Sequence, residues 1–106
     1  MLILDKDNIE EIVDDNLTII GVYNSSRTRY GDKEKVEKVI NDLSFIFSDI
    51  TFIIMDSDKN PISTKRIAPE GIEYFPLFYV IKEGEVEDIY FGVGIENLSK
   101  IIDNHL

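Results

Sequence analysis

The sequence contains no cysteine. That excludes a disulfide, a thiolate nucleophile, an iron–sulfur cluster and any cysteine-based zinc site. Histidine is nearly absent as well: the only one, His105, stands one residue from the C-terminus. A catalytic triad or a multi-histidine metal site needs a well-anchored imidazole. His105 reads instead as a frayed helix end, so no catalytic residue, metal ligand or cofactor is assigned. No apolar run approaches the roughly 18 residues of a transmembrane helix. Positive charge is scarce too: 11 Lys+Arg stand against 21 Asp+Glu, a net charge of −10. Such a chain is repelled by phosphate backbones and anionic lipid, so neither nucleic acid nor membrane is an expected partner. Met1-Leu2-Ile3-Leu4 meets Asp5 at once, which does not read as a secretory leader. A reducing, cytoplasmic setting is expected.

What remains is 106 residues, 43% of them hydrophobic, enough for one domain around one core. Leu2-Ile3-Leu4 reads as a short edge strand. Ile9, Ile12 and Val13 form one face of a short helix that Asp5 or Asp7 can cap. Leu17 to Tyr23 is near-continuously apolar and β-branched, the signature of a strand buried on both faces. A polar loop, Asn24 to Gly31, leads to a helix that Asp32 can cap. Val36, Val39, Ile40, Leu43 and Phe47 form its apolar stripe. Ile50 to Met55 is a second buried strand. Asn60 as cap and Pro61 at the first position start a third helix, which ends near Pro69 and Gly71. Leu77 to Ile81 and Val86 to Phe91 make a hairpin around Glu83-Gly84-Glu85. Ile95, Leu98, Ile101 and Ile102 mark a closing helix. The order βαβαβαββα predicts an α/β fold, a mixed sheet of four to five strands flanked by about four helices. A single domain covers 1–106.

Local motifs over nearly the whole chain resemble the thioredoxin-like superfamily. TIIGVY (Thr18–Tyr23) resembles the strand entering the redox loop. DSDKNP (Asp56–Pro61) resembles the segment between the central strand and the third helix. Gly71-Ile72-Glu73-Tyr74-Phe75-Pro76 resembles the approach to the family's cis-proline, here Pro76. Lys82-Glu83-Gly84-Glu85-Val86 resembles its hairpin turn, and Gly92 its glycine before the last helix. The resemblance places Arg27-Thr28-Arg29-Tyr30 in the CxxC window, with Arg27 and Tyr30 where the two cysteines would stand. The family's buried Asp is replaced by Gly21 and its buried Lys by Ile54. The implied protein is a redox-inactive member. The cysteine-free domains of protein disulfide isomerases share strand patterns like TIIGVY and FIIMDSD and a closing helix like ENLSKIIDNHL. Calsequestrin domains share the fold and the acidity.

Two surfaces follow as candidates. Residues 24–38 carry five basic and three acidic side chains, a local net of +2 that leaves −12 elsewhere. Arg27 and Arg29, at the start of the second helix, could hold an anion or an acidic peptide. In the family, the residue before the cis-proline offers its backbone to an extended partner. Tyr30, Phe75 and the Gly92-Val93 turn would then form a small aromatic groove. The expected contact surface is Arg27, Arg29, Tyr30, Phe75, Pro76 and Val93, binding a protein or peptide. Two other readings are an excised substrate-binding domain of a disulfide-isomerase-like protein and an enzyme for an anionic substrate. Asp56-Ser57-Asp58-Lys59-Asn60 imitates a calcium loop, but Pro61 and Ile67 stand where it needs Gly and Glu. The exposed edge of the first strand could support a homodimer.

Overall fold

The computed structural model describes residues 2–13, 16–27 and 32–106. Nine elements follow in order: β1 (Leu2–Leu4), α1 (Ile9–Ile12), β2 (Thr18–Tyr23), α2 (Asp32–Ile46), β3 (Thr51–Asp56), α3 (Pro61–Ile67), β4 (Leu77–Lys82), β5 (Glu85–Phe91) and α4 (Ile95–Asn104). The three near-continuously apolar runs become the three inner strands. The sheet order is β1-β3-β2-β4-β5. β1 and β2 run parallel to β3, β4 runs antiparallel to β2, and β5 runs antiparallel to β4. Short β1 and acidic β5 take the edges, where one side of the strand stays in water.

Each inner strand feeds two cores by alternation. Ile19, Ile54, Phe78 and Val80 point toward α2 and α4, where Val36, Val39, Ile40, Leu43, Leu98 and Ile102 close the layer. Ile20, Val22, Ile53, Met55, Leu77, Tyr79 and Ile81 point toward α1 and α3, with Ile9 and Ile67 above them. Val36, Val39, Ile40 and Leu43 of the expected α2 stripe are therefore its buried face, whereas Phe47 lies just past the end of the helix and is half-buried against the same core. Each fully buried aliphatic there contributes about 1.5–3 kcal/mol relative to exposure. The β4–β5 connection is a two-residue turn. Glu83 (φ 53°) and Gly84 (φ 81°) both lie in the left-handed region, as the twist of a tight hairpin requires. A register shift between Val80 and Ile81 marks a bulge opposite β5.

The caps differ from the expected ones. Asn8, not Asp5 or Asp7, precedes α1. The Asp7 carboxylate instead accepts from the Ile62 N–H at 2.9 Å and the Ser63 N–H at 2.6 Å, capping α3. Asn60 does stand at the start of α3, but its side chain does not cap it. Its Oδ1 accepts from the Asp7 N–H, and its Nδ2 donates to the carbonyls of Leu4 and Asp56. Ser63 Oγ accepts from the Ile9 N–H. The two short helices thus cap one another across the chain, because neither is long enough to stand by its own hydrogen bonds. Asp32 is the first residue of α2 and is buried. His105 is not frayed: it lies at the end of α4, its Nε2 is 3.5 Å from Asp88 Oδ2, and Lys82 Nζ donates to its carbonyl.

Candidate partner-binding site

The carboxyl ends of β2 and β3 meet at Tyr23 and Asp56, which are paired in register. The helices that follow these two strands lie on opposite faces of the sheet, so a crevice opens there. Asp56 is buried and organises the loop after β2. Its Oδ1 accepts from the N–H groups of Ser25 and Asp58, each at 3.0 Å. The apparent calcium loop is thus turn chemistry, and among the described residues no group of three acidic, Cys or His side chains could hold a metal. Burial pushes the Tyr23 hydroxyl pKa up, with the charge of Asp56 and then of Glu37 and Glu34 adding to it. Asn24 Oδ1 accepts from the N–H groups of Ser26 and Arg27, folding the loop back on itself. Asn24 Nδ2 donates to Ser57 Oγ.

That turn aims Arg27 across the crevice at the segment joining α3 to β4. Arg27 Nη1 donates to the Ile72 carbonyl at 3.3 Å and Nη2 to the Glu73 carbonyl at 3.1 Å. The guanidinium carbon lies 5.6 Å from the centre of the Phe75 ring, a cation–π contact. The Phe75–Pro76 peptide bond is cis. The Gly92 N–H donates to the Pro76 carbonyl, bringing the turn with Val93, 42% exposed, to the same end of the sheet. Arg27, Phe75, Pro76 and the Val93 turn are therefore held together. Arg29 and Tyr30 lie outside the described residues. The local basic patch is less free than its charge implies. Arg27 is engaged as above, Lys33 pairs with Glu37 and Lys38 pairs with Asp42.

Beneath this surface, Gly21 and Ile54 are neighbours in register. A methyl group built on Gly21 would lie 2.6 Å from Val36 Cγ1 and 2.9 Å from Phe78 Cε1. No side chain fits there, least of all a hydrated carboxylate. The pair of positions where the resemblance has a buried acid and a buried base is filled with packed hydrocarbon.

A second concavity escapes a reading of sequence alone. The segment 70–74 and the α1/α3-facing side of β4 and β5 enclose a groove of about 340 Å³. Tyr74, Phe91 and Ile89 are 70%, 57% and 42% exposed along it, and Glu70 and Glu73 stand at its rim. Ile89 and Phe91, two apart on an edge strand, were the available signal.

This sheet order, with paired helices on each face and the loop and turn gathered at one end, is the thioredoxin-like fold. The chain carries it without a cysteine. No protein-family model matches the sequence, and no curated protein matches it. Solved structures do. Thioredoxin of Fasciola hepatica is 19% identical, with full coverage of both chains and a TM-score of 0.80. Thioredoxin f2 of Chlamydomonas reinhardtii is 19% identical over 99% of this chain and 95% of its own, with a TM-score of 0.78. Thioredoxin of Plasmodium falciparum is 20% identical over all of both chains, with a TM-score of 0.76. At these identities the likeness establishes the fold, and the missing thiols exclude dithiol exchange at this site. Among the described residues no helix is long and apolar enough to cross a membrane.

Proposed function

We propose that this chain is a non-enzymatic protein- or peptide-binding module of a reducing, cytoplasmic setting. Its contact surface is Arg27, Phe75, Pro76 and Val93, joined by Arg29 and Tyr30. The observation that carries this reading is the Arg27 guanidinium, held by two carbonyls and the Phe75 ring at the place the fold otherwise gives to thiol chemistry. A guanidinium fixed in this way keeps donors on its outer edge, so an acidic group on an extended partner meets a preorganised cation. Val93 supplies adjacent apolar area. A displayed library of extended peptides, selected on the wild type and on Arg27→Glu, tests it. Acidic residues flanked by apolar ones should be enriched by the wild type and lost with the variant. Identical selections would overturn the assignment. Insulin reduction should show no turnover above background.

The β1 edge favours self-association as a second contact mode, because Leu2 and Ile3 are 49% and 67% exposed beside β3. Sedimentation velocity over a concentration series tests it, and a monomer throughout would remove it.

A further inference from the structure

Among the described residues, exposed apolar side chains also line a concavity away from the face just discussed. It is the groove on the other side of the 70–76 segment. Its floor is Leu77 and Tyr79 of β4, and its walls are Tyr74 from the loop and Ile89 and Phe91 from β5. α1 and α3 cover the inner strands on this face of the sheet, but the side chains of Ile89 and Phe91 stay in water. β5 is also the last strand of the sheet, so its outer main-chain groups have no neighbouring strand, although the Ile89 N–H donates to Asp88 Oδ1 at 3.0 Å and an added strand must displace that contact. An exposed aromatic stripe beside an open strand edge marks a place where an extended segment can be added.

The charges select the occupant. β5 begins Glu85-Val86-Glu87-Asp88 and ends Ile89-Tyr90-Phe91. One half of the edge is acidic and the other apolar. Glu70 and Glu73 add two more carboxylates at the groove rim, and among the described residues no Lys or Arg lines it. A second copy paired parallel along this edge would set the two acidic halves side by side, and like charges directly across a strand pair are destabilising. Paired antiparallel about the strand centre, it would set Glu85 and Glu87 opposite Phe91 and Ile89 and supply no cation to either. A strand bearing lysine or arginine opposite residues 85–88 and aromatic or aliphatic side chains opposite 89–91 is favoured at both ends.

We infer that the β5 edge and its groove form a second docking surface, for an extended partner segment that is basic in one half and aromatic or aliphatic in the other. This surface shares no exposed side chain with the Arg27 face and does not rest on that assignment. The two are opposite in charge and lie on the two sides of one loop.

The test uses the full chain and a fluorescein-labelled peptide of about ten residues. The peptide has alternating aromatic residues followed by three lysines. A second peptide replaces the lysines with glutamates. Fluorescence anisotropy should show saturable binding of the lysine peptide and at least tenfold weaker binding of the glutamate peptide. Phe91→Asp and the double variant Glu70→Lys/Glu73→Lys should each weaken the lysine peptide at least tenfold. Phe45→Asp, on the exposed end of α2, should change it less than twofold. Amide chemical shifts of the wild type should move at residues 70–74 and 85–91, a readout that needs no variant to fold. No saturation by roughly 1 mM peptide, equal binding of both peptides, or shifts centred on Arg27 and Val93 would each overturn the inference. Self-association abolished by Phe91→Asp would assign the groove to a second copy instead.

Discussion

On one side of residues 72–76, Arg27 ties the main chain down through two carbonyls and lies on the Phe75 ring, while Val36 and Phe78 fill the space beside Gly21. On the other side, Tyr74 and Phe91 are more than half exposed along a surface groove. The same short segment thus forms the lid of a closed region and the wall of an open one. In the closed region the groups are engaged with one another, so changes there should register as lost stability. In the open region the side chains have few protein partners, so changes there should register in binding and leave stability nearly untouched.

The largest expected effect comes from forcing a carboxylate back into the closed side. Gly21→Asp places a branched, charged side chain against Val36 and Phe78, with no partner in the hydrocarbon around it. The expected loss is more than about 3 kcal/mol, from overpacking and burial of a charge together. Urea denaturation measures it. A loss under about 1 kcal/mol would mean that the closed side can relax, and the comparison would fail.

Next in size is the anchor of α3, the helix that leads into the loop. Burial pushes the Asp7 carboxyl pKa up, but the N–H donors of Ser63 and Ile62 and the Ser63 hydroxyl outweigh it, leaving it below the ordinary 3.8. Asp7 has φ +50°, which asparagine tolerates, so Asp7→Asn removes the charge with little strain. The expected cost near neutral pH is about 0.5–1 kcal/mol. Because the folded pKa lies below the unfolded one, the carboxylate's contribution is complete above the unfolded pKa. It is lost as pH falls through the folded value. The gap between wild type and variant should therefore close below about pH 4, and thermal melts across pH 2–7 measure it. A gap that persists at pH 2 would sink the capping account.

Arg27→Ala removes two hydrogen bonds and a cation–π contact from an exposed side chain, worth about 0.5–1 kcal/mol together. The sharper readout is local: hydrogen exchange at residues 72–75 should accelerate while β2 and β3 stay protected. The smallest stability effect is Phe91→Asp, within about 0.5 kcal/mol, although it should abolish most peptide binding at the groove. If Phe91→Asp destabilises more than Arg27→Ala, the open side carries structural load and the two regions are not distinct.

Much of the fold was legible. The strands with continuous β-branched runs went to the sheet interior because both their faces had to be apolar. The stripe Val36, Val39, Ile40 and Leu43 named the buried face of α2 in advance. The caps were less legible. Asp5, Asp7, Asn8, Asn60 and Asp32 all have capping chemistry, and a residue's identity does not say whose N–H groups it will meet. Asp7 caps a helix that begins more than fifty positions later, and only the packing of α1 beside α3 brings the two together. The candidate site was legible in part for the same reason. Arg27, Phe75 and Pro76 could be named from spacing and resemblance, but the carbonyl acceptors of Arg27 could not. The groove was missed because Glu70, Tyr74, Ile89 and Phe91 come from a loop and an edge strand that read separately as ordinary surface.

Composition and order alone determined that this chain forms one α/β layer structure and that thiol chemistry is closed to it. Hydrophobic periodicity dictates which faces must be buried, and an element that is absent cannot react. Tertiary structure decided the rest: which acid caps which helix, that Arg27 spends donors on its own loop, and that an acidic edge strand stands beside an open aromatic groove. Those are juxtapositions between residues distant in sequence, set by the packing of two cores against one sheet.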